Sequence, residues 1–242
     1  MTVKTIKPNN NSSASKKTQV ASMFDNIAKS YDFLNHTLSF GMDYYWRYRA
    51  IKEISNNPDN ILDVACGTAD FAIAASNIEE VHITGIDISN KMLEIGKEKV
   101  RSRQLQEKIK LKYADSENLP FSNNSFDAIT AGFGVRNFEN IEQGLLEMNR
   151  VLKKNGIVVI LEPSEPTKFP LNILYRFYFH NILPLIGRII SNDKRAYKYL
   201  PESVDGFPEK SDFLKTLNKT GFRESKCIPL TLGIVSLYIA IK

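Results

Sequence analysis

Asp63, Gly67 and Asp87 have the types and spacing of residues that handle a nucleoside in this 242-residue chain. The run Asn60-Ile61-Leu62-Asp63-Val64-Ala65-Cys66-Gly67-Thr68-Ala69-Asp70 reads as a short apolar strand bearing a carboxylate, followed by a turn of very small residues. Phe71-Ala72-Ile73-Ala74-Ala75 then opens a buried helix. Small residues at a strand-to-helix turn let a ligand approach the backbone, and a helix N-terminus offers unpaired N–H groups. Residues 81–88 form a second apolar stretch that carries Asp87, twenty residues after Gly67. A carboxylate at that place can accept two hydrogen bonds from a ribose diol. An ordinary αβ turn would explain either acid alone; the ordered pair points to a nucleoside pocket at the carboxyl edge of a parallel sheet.

The turn discriminates between cofactors. Dinucleotide binding asks for Gly-x-Gly-x-x-Gly, whereas here the flanking small positions are Ala65 and Ala69, and Gly67 is the lone glycine of the turn. No Gly-Lys-Ser/Thr follows, so a phosphate cradle is not expected. Asp63 at the start of the loop suits a ligand with an amine or a positive charge. S-adenosylmethionine, with a sulfonium and an ammonium, is such a ligand.

The elements that must hold these residues follow from the hydrophobic pattern. Residues 21–58 are helical and aromatic, with Met23, Phe24, Ile27, Tyr31, Trp46 and Ile51, and Pro58 closes them. Strands are expected over 61–66, 81–88, 109–114, 126–131 and 157–161, with helices beginning near Asp70 and over 91–105, 141–152 and 211–220. Ile141, Leu145, Met148 and Leu152 share one helix face, and Asn155-Gly156 is expected to end that helix. The run 157–161 is apolar on both faces, as in a central parallel strand. Strands 226–230 and 234–241 are joined by a short link and so run antiparallel to each other. The expected fold is a doubly wound α/β sheet, Rossmann-like and mostly parallel, with one antiparallel strand near the C-terminus.

Between about 163 and 210 the βα rhythm breaks. An insertion rich in Phe, Tyr, Leu and Ile, punctuated by Arg176, His180 and Arg188, is expected to cap the carboxyl edge as a lid for a bulky apolar substrate. Its part from 168 to 190 pairs that apolar face with Lys168, Arg176 and Arg188, the composition of an interfacial helix. The hydrophobic content of 43% supports a full core, and the net charge is +5. Lys4, Lys7, Lys16 and Lys17 lack acidic neighbours, so residues 1–20 read as a disordered basic arm ahead of a single domain over 21–242. Neither a secretory h-region nor a membrane-spanning run is present, and Cys66 and Cys227 read as reduced thiols. A cytoplasmic protein is expected, peripheral at most on the inner face of the plasma membrane.

Longer motifs carry a resemblance. Asp115-Ser116-Glu117-Asn118-Leu119-Pro120-Phe121, with the 62–70 loop and Asp87, is similar to S-adenosylmethionine-dependent methyltransferases in general. More specific are Tyr31-Asp32-Phe33-Leu34-Asn35, Leu38-Ser39-Phe40-Gly41 with Trp46, and Phe133-Gly134-Val135-Arg136-Asn137. Arg150-Val151-Leu152-Lys153, Glu162-x-Ser164-x-Pro166, Leu183-Pro184-Leu185-Ile186-Gly187-Arg188 and Tyr197-x-Tyr199-Leu200-x-Glu202-Ser203 complete the set. From about Phe24 onward the chain resembles the UbiE/MenG family, the demethylmenaquinone methyltransferases. It departs at Asp43, where many relatives have His, at Pro163, where Phe is common, and at Gly132, where some carry a small hydroxyl residue.

The resemblance implies C-methylation of a polyprenyl naphthoquinol, the last step to menaquinone, or of the benzoquinol precursor of ubiquinone. It implies that Thr68, Asp87, Asp115 and Ser116 contact the cofactor. Thr68 would hold the aminoacyl carboxylate, Asp87 the ribose, and Asp115 with the Ser116 N–H the adenine. Arg136, beside Asn137 at the end of the fourth strand, is the expected partner for the phenolate that develops on the ring. Tyr31, Asp43, His180 and Tyr197 are all eligible as the general base, and the sequence does not rank them. No metal is expected, and a homodimer is left open. Methylation of RNA is the rival from another class. Against it, the fourth strand ends in Ala131-Gly132-Phe133-Gly134 rather than Asn/Asp-Pro-Pro-Tyr, so no nucleic-acid partner is expected.

Overall fold

The computed structural model describes residues 6–182 and 194–242. Among these residues the centre is a seven-stranded sheet in the order β3-β2-β1-β4-β5-β7-β6. The strands are β1 (Asn60–Val64), β2 (His82–Asp87), β3 (Ile109–Tyr113), β4 (Phe126–Gly132), β5 (Leu152–Pro163), β6 (Arg223–Leu230) and β7 (Val235–Ile241). All neighbouring pairs from β3 to β5 are parallel. Only β7 runs against its neighbours β5 and β6, the single reversal expected. Strand order changes direction between β1 and β4, and ligands bind open α/β sheets at that crevice.

The helices are α1 (Lys16–Leu38), α2 (Met42–Ile51), α3 (Asp70–Ala75), α4 (Asn90–Ser102), α5 (Ile141–Val151), α6 (Leu171–Phe177), α7 (Lys194–Asp205) and α8 (Lys210–Lys219). Their starts are encoded locally. Ser15, Ser89 and Asn140 each accept a hydrogen bond from a backbone N–H three residues on, the usual N-cap. One sheet face packs Ile129, Val158 and Ile160 against Leu145 and Met148 of α5 and Phe213 of α8. The other packs Val159 and Leu161 against Trp46 and Phe71. Over the carboxyl edge lies a separate helical cluster in which Val20, Met23 and Ile27 of α1 meet Met92, Phe179 and Tyr199.

Two boundaries differ from expectation. The helical preface starts at Lys16, inside the segment read as a basic arm, because Ser15 caps it and Lys16 is buried. Lys16 Nζ donates to the carbonyls of Arg136 (3.0 Å) and Phe138 (2.8 Å), so its charge is spent on the protein itself. The chain also leaves α5 at Val151 and goes directly into β5, with Leu152 paired to Phe126 before a register shift. Asn155-Gly156 therefore lies within β5 and does not end the helix. Of the capping insertion, α6 and the turn Tyr178–Ile182 lean on the α1–α2 corner, where the Tyr178 hydroxyl donates to the Leu38 carbonyl. Leu183, Pro184, Leu185, Ile186, Gly187 and Arg188 lie outside the described residues.

Candidate active site

Residues 65–69 make the turn with Ala65, Gly67 and Ala69 all at positive φ (53°, 54° and 69°). Two of these are not glycine, and such strain persists where the surroundings fix the backbone for a purpose. A Cβ built on Gly67 would meet nothing nearer than Tyr31 Cε1 at 4.0 Å, so the backbone there faces open space. Asp87, at the end of the neighbouring strand, accepts from the Gly67 N–H (2.8 Å) and the Ser89 N–H (2.8 Å). Burial raises its pKa, and those two donors work in the opposite direction. A cleft opens here, bounded by Gly67, Asp87, Asp115, Ser116, Phe133 and Gly134 and roofed by Lys17, Val20 and Phe24 of α1.

Gly67, Asp87, Asp115 and Ser116 are thus brought to one cleft. Asp115 Oδ1 accepts from the Glu117 N–H (2.9 Å), and Oδ2 takes the Lys17 ammonium (2.5 Å). Each carboxylate oxygen keeps a further lone pair for a ligand. Lys17 also pairs with Glu117, so neither Lys16 nor Lys17 is available to an external acidic surface.

Asp63 and Thr68 are placed otherwise. Asp63 is fully buried beneath the turn, accepting from the Thr130 hydroxyl (2.8 Å) and the Ala72 N–H (3.1 Å). It joins β1 to β4 and to α3, and burial pushes its carboxyl up to about 7. The Thr68 hydroxyl donates to Asp32 (2.5 Å) and accepts from Lys99 (3.2 Å), and Thr68 does not bound the cleft. Behind it runs a charge network that sequence reasoning missed. Lys99 pairs with Asp32 (2.7 Å) and Asp70, Arg47 with Asp43 (2.5 Å), and His36 lies 2.7 Å from Asp43. Asp32, His36 and Asp70 come close enough together to ligate a cation, but the Lys99 ammonium already bridges the two acids. Asp32, Asp43 and Asp70 had signals, in the Tyr31–Asn35 motif, among the eligible bases and in the 62–70 loop; His36, Arg47 and Lys99 had none.

Phe24, Tyr31, Phe133 and Asn137 form a wall shared with a second, larger cavity of about 180 Å³. Much of the rest is apolar, with Met23, Ile27, Leu38, Trp46, Phe179 and Leu200, and Asn35, Ser39, Asp43 and Arg47 add a polar side. Arg136 enters it from a 3₁₀ turn (Val135–Asn137) that follows β4. Its Nη1 donates to Glu162 Oε2 (2.8 Å) and to the Phe133 carbonyl, its backbone N–H reaches Glu162 Oε1 (3.2 Å), and its Nε reaches the Ser203 hydroxyl (3.4 Å). Glu162 is wholly buried at the end of β5; burial raises its pKa against the pull of Arg136. The Asn137 Nδ2 donates to the Phe133 carbonyl (3.4 Å), while its Oδ1 is buried with no partner among the described residues.

The eligible bases separate. Burial works to raise Asp43, but the Arg47 guanidinium and the Ser39 hydroxyl outweigh it and hold the carboxyl below its ordinary range. Burial pushes Tyr31 up, although Arg136 opposes it. His180 faces Asp205 at 3.7 Å and bounds neither cavity, and the Tyr197 side chain lies outside the described residues. Neither Asp43 nor Tyr31 is poised to accept a proton near neutrality.

Residues 12–242 match the model of the ubiE/COQ5 methyltransferase family. A demethylmenaquinone methyltransferase of Bacteroides fragilis is 44% identical over 98% of this chain and 97% of its own. A ubiquinone/menaquinone biosynthesis C-methyltransferase UbiE of Geotalea daltonii is 48% identical over 92% of this chain and 96% of its own. Among solved structures, the [4+2]-cyclase SpnF aligns over 95% of this chain and 97% of its own, with TM-score 0.68 and 16% identity. A SAM-dependent methyltransferase from Aquifex aeolicus aligns over 81% and 88%, with TM-score 0.59 and 16% identity. Since a cyclase shares the fold, these likenesses speak to architecture alone.

Proposed function

The chain belongs to the ubiE/COQ5 methyltransferase family, and from that premise we propose that it uses S-adenosylmethionine to C-methylate a polyprenyl naphthoquinol, demethylmenaquinol to menaquinol. One observation carries this reading: a polar cleft around Asp87 shares a wall with a cavity lined largely by apolar and aromatic side chains and entered by the guanidinium of Arg136. The open face of Gly67 and the carboxylate of Asp87 fit an aminoacyl nucleoside. Asp87 would hold the ribose, and Asp115 with the Ser116 N–H the adenine; Thr68 and Asp63 would shape the turn from behind. When bound, the cofactor supplies a methyl group on a sulfonium, to which a nucleophilic carbon can be presented.

The protein's part is to bind, orient and stabilise. The apolar walls hold the ring and exclude water. Arg136, a permanent cation whose partner Glu162 fixes its direction, stabilises the negative charge of the ionised ring hydroxyl, which makes the adjacent carbon electron-rich. Asn137, on the shared wall, can orient the same oxygen. The ring carbon and the transferred carbon must be held about 3–3.5 Å apart, which Phe133 and Tyr31 are positioned to enforce.

A reduced ring is therefore required. Purified protein with S-adenosylmethionine should methylate demethylmenaquinone only in the presence of a reductant, read by mass spectrometry; equal turnover of the oxidised quinone would overturn the reading. Turnover confined to the benzoquinol precursor would move the assignment to the ubiquinone branch, which the name of the Geotalea relative keeps in view.

Such a substrate resides in a bilayer, and among the described residues no helix is long and apolar enough to cross one. Phe40, Phe169, Ile173, Leu174 and Phe177 are exposed together where α6 meets the α1–α2 corner, which supports shallow, reversible contact of that face with a membrane. With Lys16 and Lys17 engaged and Arg176 paired to Glu165, the contact would rest on these side chains more than on charge. Phe179 is buried against Tyr175 and belongs to the cavity wall, not to that face.

A further inference from the structure

We propose that the hydroxyl of Tyr199, assisted by that of Tyr175, hydrogen-bonds a ring oxygen of the substrate and so makes the apolar cavity specific for an oxygenated ring. The inference rests on the reading above and deepens it. Both hydroxyls are buried, both side chains bound the cavity, and neither oxygen has a hydrogen-bond partner among the described residues. The same is true of the Asn137 carboxamide oxygen. A buried polar atom left unpaired costs free energy, and phenylalanine would fill either tyrosine position without that cost. Their gathering in one cavity, beside the apolar side chains of Met23, Ile27, Leu38, Trp46, Phe179 and Leu200, points to a ligand that carries oxygen on a flat hydrophobic body.

Both rings are held rigidly. Tyr175 stacks on Phe179 with centroids 5.0 Å apart and planes 17° from parallel. Tyr199 is 2% exposed and stands one turn before Ser203 on α7, whose hydroxyl contacts Arg136. Tyr199 therefore lies on the same helix face as the residue that supports the guanidinium. Burial pushes Tyr199 up to about 12 and Tyr175 higher, against the pull of the Arg136 charge. Both stay protonated at neutral pH and act as donors, not as bases. A site built to pair an oxygen rejects an analogue that lacks it, because its own polar atom is then stranded.

Tyr199→Phe removes one oxygen and nothing else. Its kcat/KM for reduced demethylmenaquinone should fall about tenfold, about 1.4 kcal/mol at 25 °C. Affinity for S-adenosylmethionine should be unchanged, the melting temperature equal or higher, and the pH–rate profile the same shape. Anaerobic calorimetry with 1,4-naphthalenediol and 1-naphthol should show the wild type preferring the diol and the variant losing that preference; Tyr175→Phe should act in the same direction, more weakly. Undiminished turnover with a raised melting temperature would make Tyr199 an ordinary core residue. Loss of a pH limb would make it a base, and equal losses for both rings would reduce it to packing; each would overturn the proposal. A wild type that binds the diol through Tyr199 yet methylates no quinol would refute the proposed reaction while leaving this contact intact.

Discussion

The cleft around Asp87 and the cavity around Arg136 share Phe24, Tyr31, Phe133 and Asn137, yet they are made of different materials. The cleft is a backbone site: a strained turn, two N–H groups aimed at one carboxylate, and acids at the ends of adjacent strands. The cavity is a side-chain site, assembled from α1, α2, the capping segment, α7 and the ends of β4 and β5. A backbone site tolerates little change in geometry but needs few residue types. A side-chain site can be retuned one residue at a time.

The largest effect should come from the cavity's ion pair. Arg136→Met leaves Glu162 buried without its cation, expected to cost about 3–5 kcal/mol of stability, and it should lower kcat by about 10²–10³. Adding Glu162→Gln should restore most of the melting temperature but not the turnover. Recovery of both would mean that the guanidinium serves only to neutralise its partner.

Next is the cleft. Asp87→Ala should weaken S-adenosylmethionine by about 1.5–3 kcal/mol, since a charged acceptor is lost, while binding of a naphthalenediol to the cavity stays the same. Calorimetry giving equal losses at both sites would show that the shared wall couples them. Unchanged cofactor affinity would remove Asp87 from the site.

The smallest effect concerns Lys16, which ties the roof of the cleft to the segment carrying Arg136. Burial lowers its pKa from 10.5 to about 8, with the Arg136 charge acting the same way and nearby acids against it. Between those values the unfolded chain binds more protons than the folded one, so folding stability gains as pH rises through that window. Urea titrations from pH 7.5 to 10.5 should show the wild type gaining on Lys16→Met. Parallel pH profiles would contradict the burial of a charged amine.

Much of the cleft was legible because its requirements are local. A strand, a turn of small residues and an acid twenty positions on must lie beside one another once β1 and β2 pair in parallel. Asp115 and Ser116, which bound the same cleft after β3, were implied by the family resemblance and not by that spacing. Local logic misjudged Asp63, because a strand's period of two says that a side chain points to one face but not whether a neighbouring helix covers it. Here α3 and β4 do. Lys16 and Lys17 looked like solvated charge for a related reason: their partners are more than ninety residues away in sequence.

By itself, the sequence determined the alternation of strands and helices, the single reversed strand near the C-terminus, the turn of small residues after β1 and the aromatic character of the cap. Those features depend on periodicity, capping and turn chemistry within a few residues, which the chain states directly. Only the tertiary structure decided that Thr68 turns to Asp32 and Lys99, that Arg136 is held by Glu162, and that Tyr175 and Tyr199 bring unpaired hydroxyls to one cavity. Those facts depend on which distant side chains packing brings within about 3 Å, and hydrogen bonds and ion pairs are decided at that range.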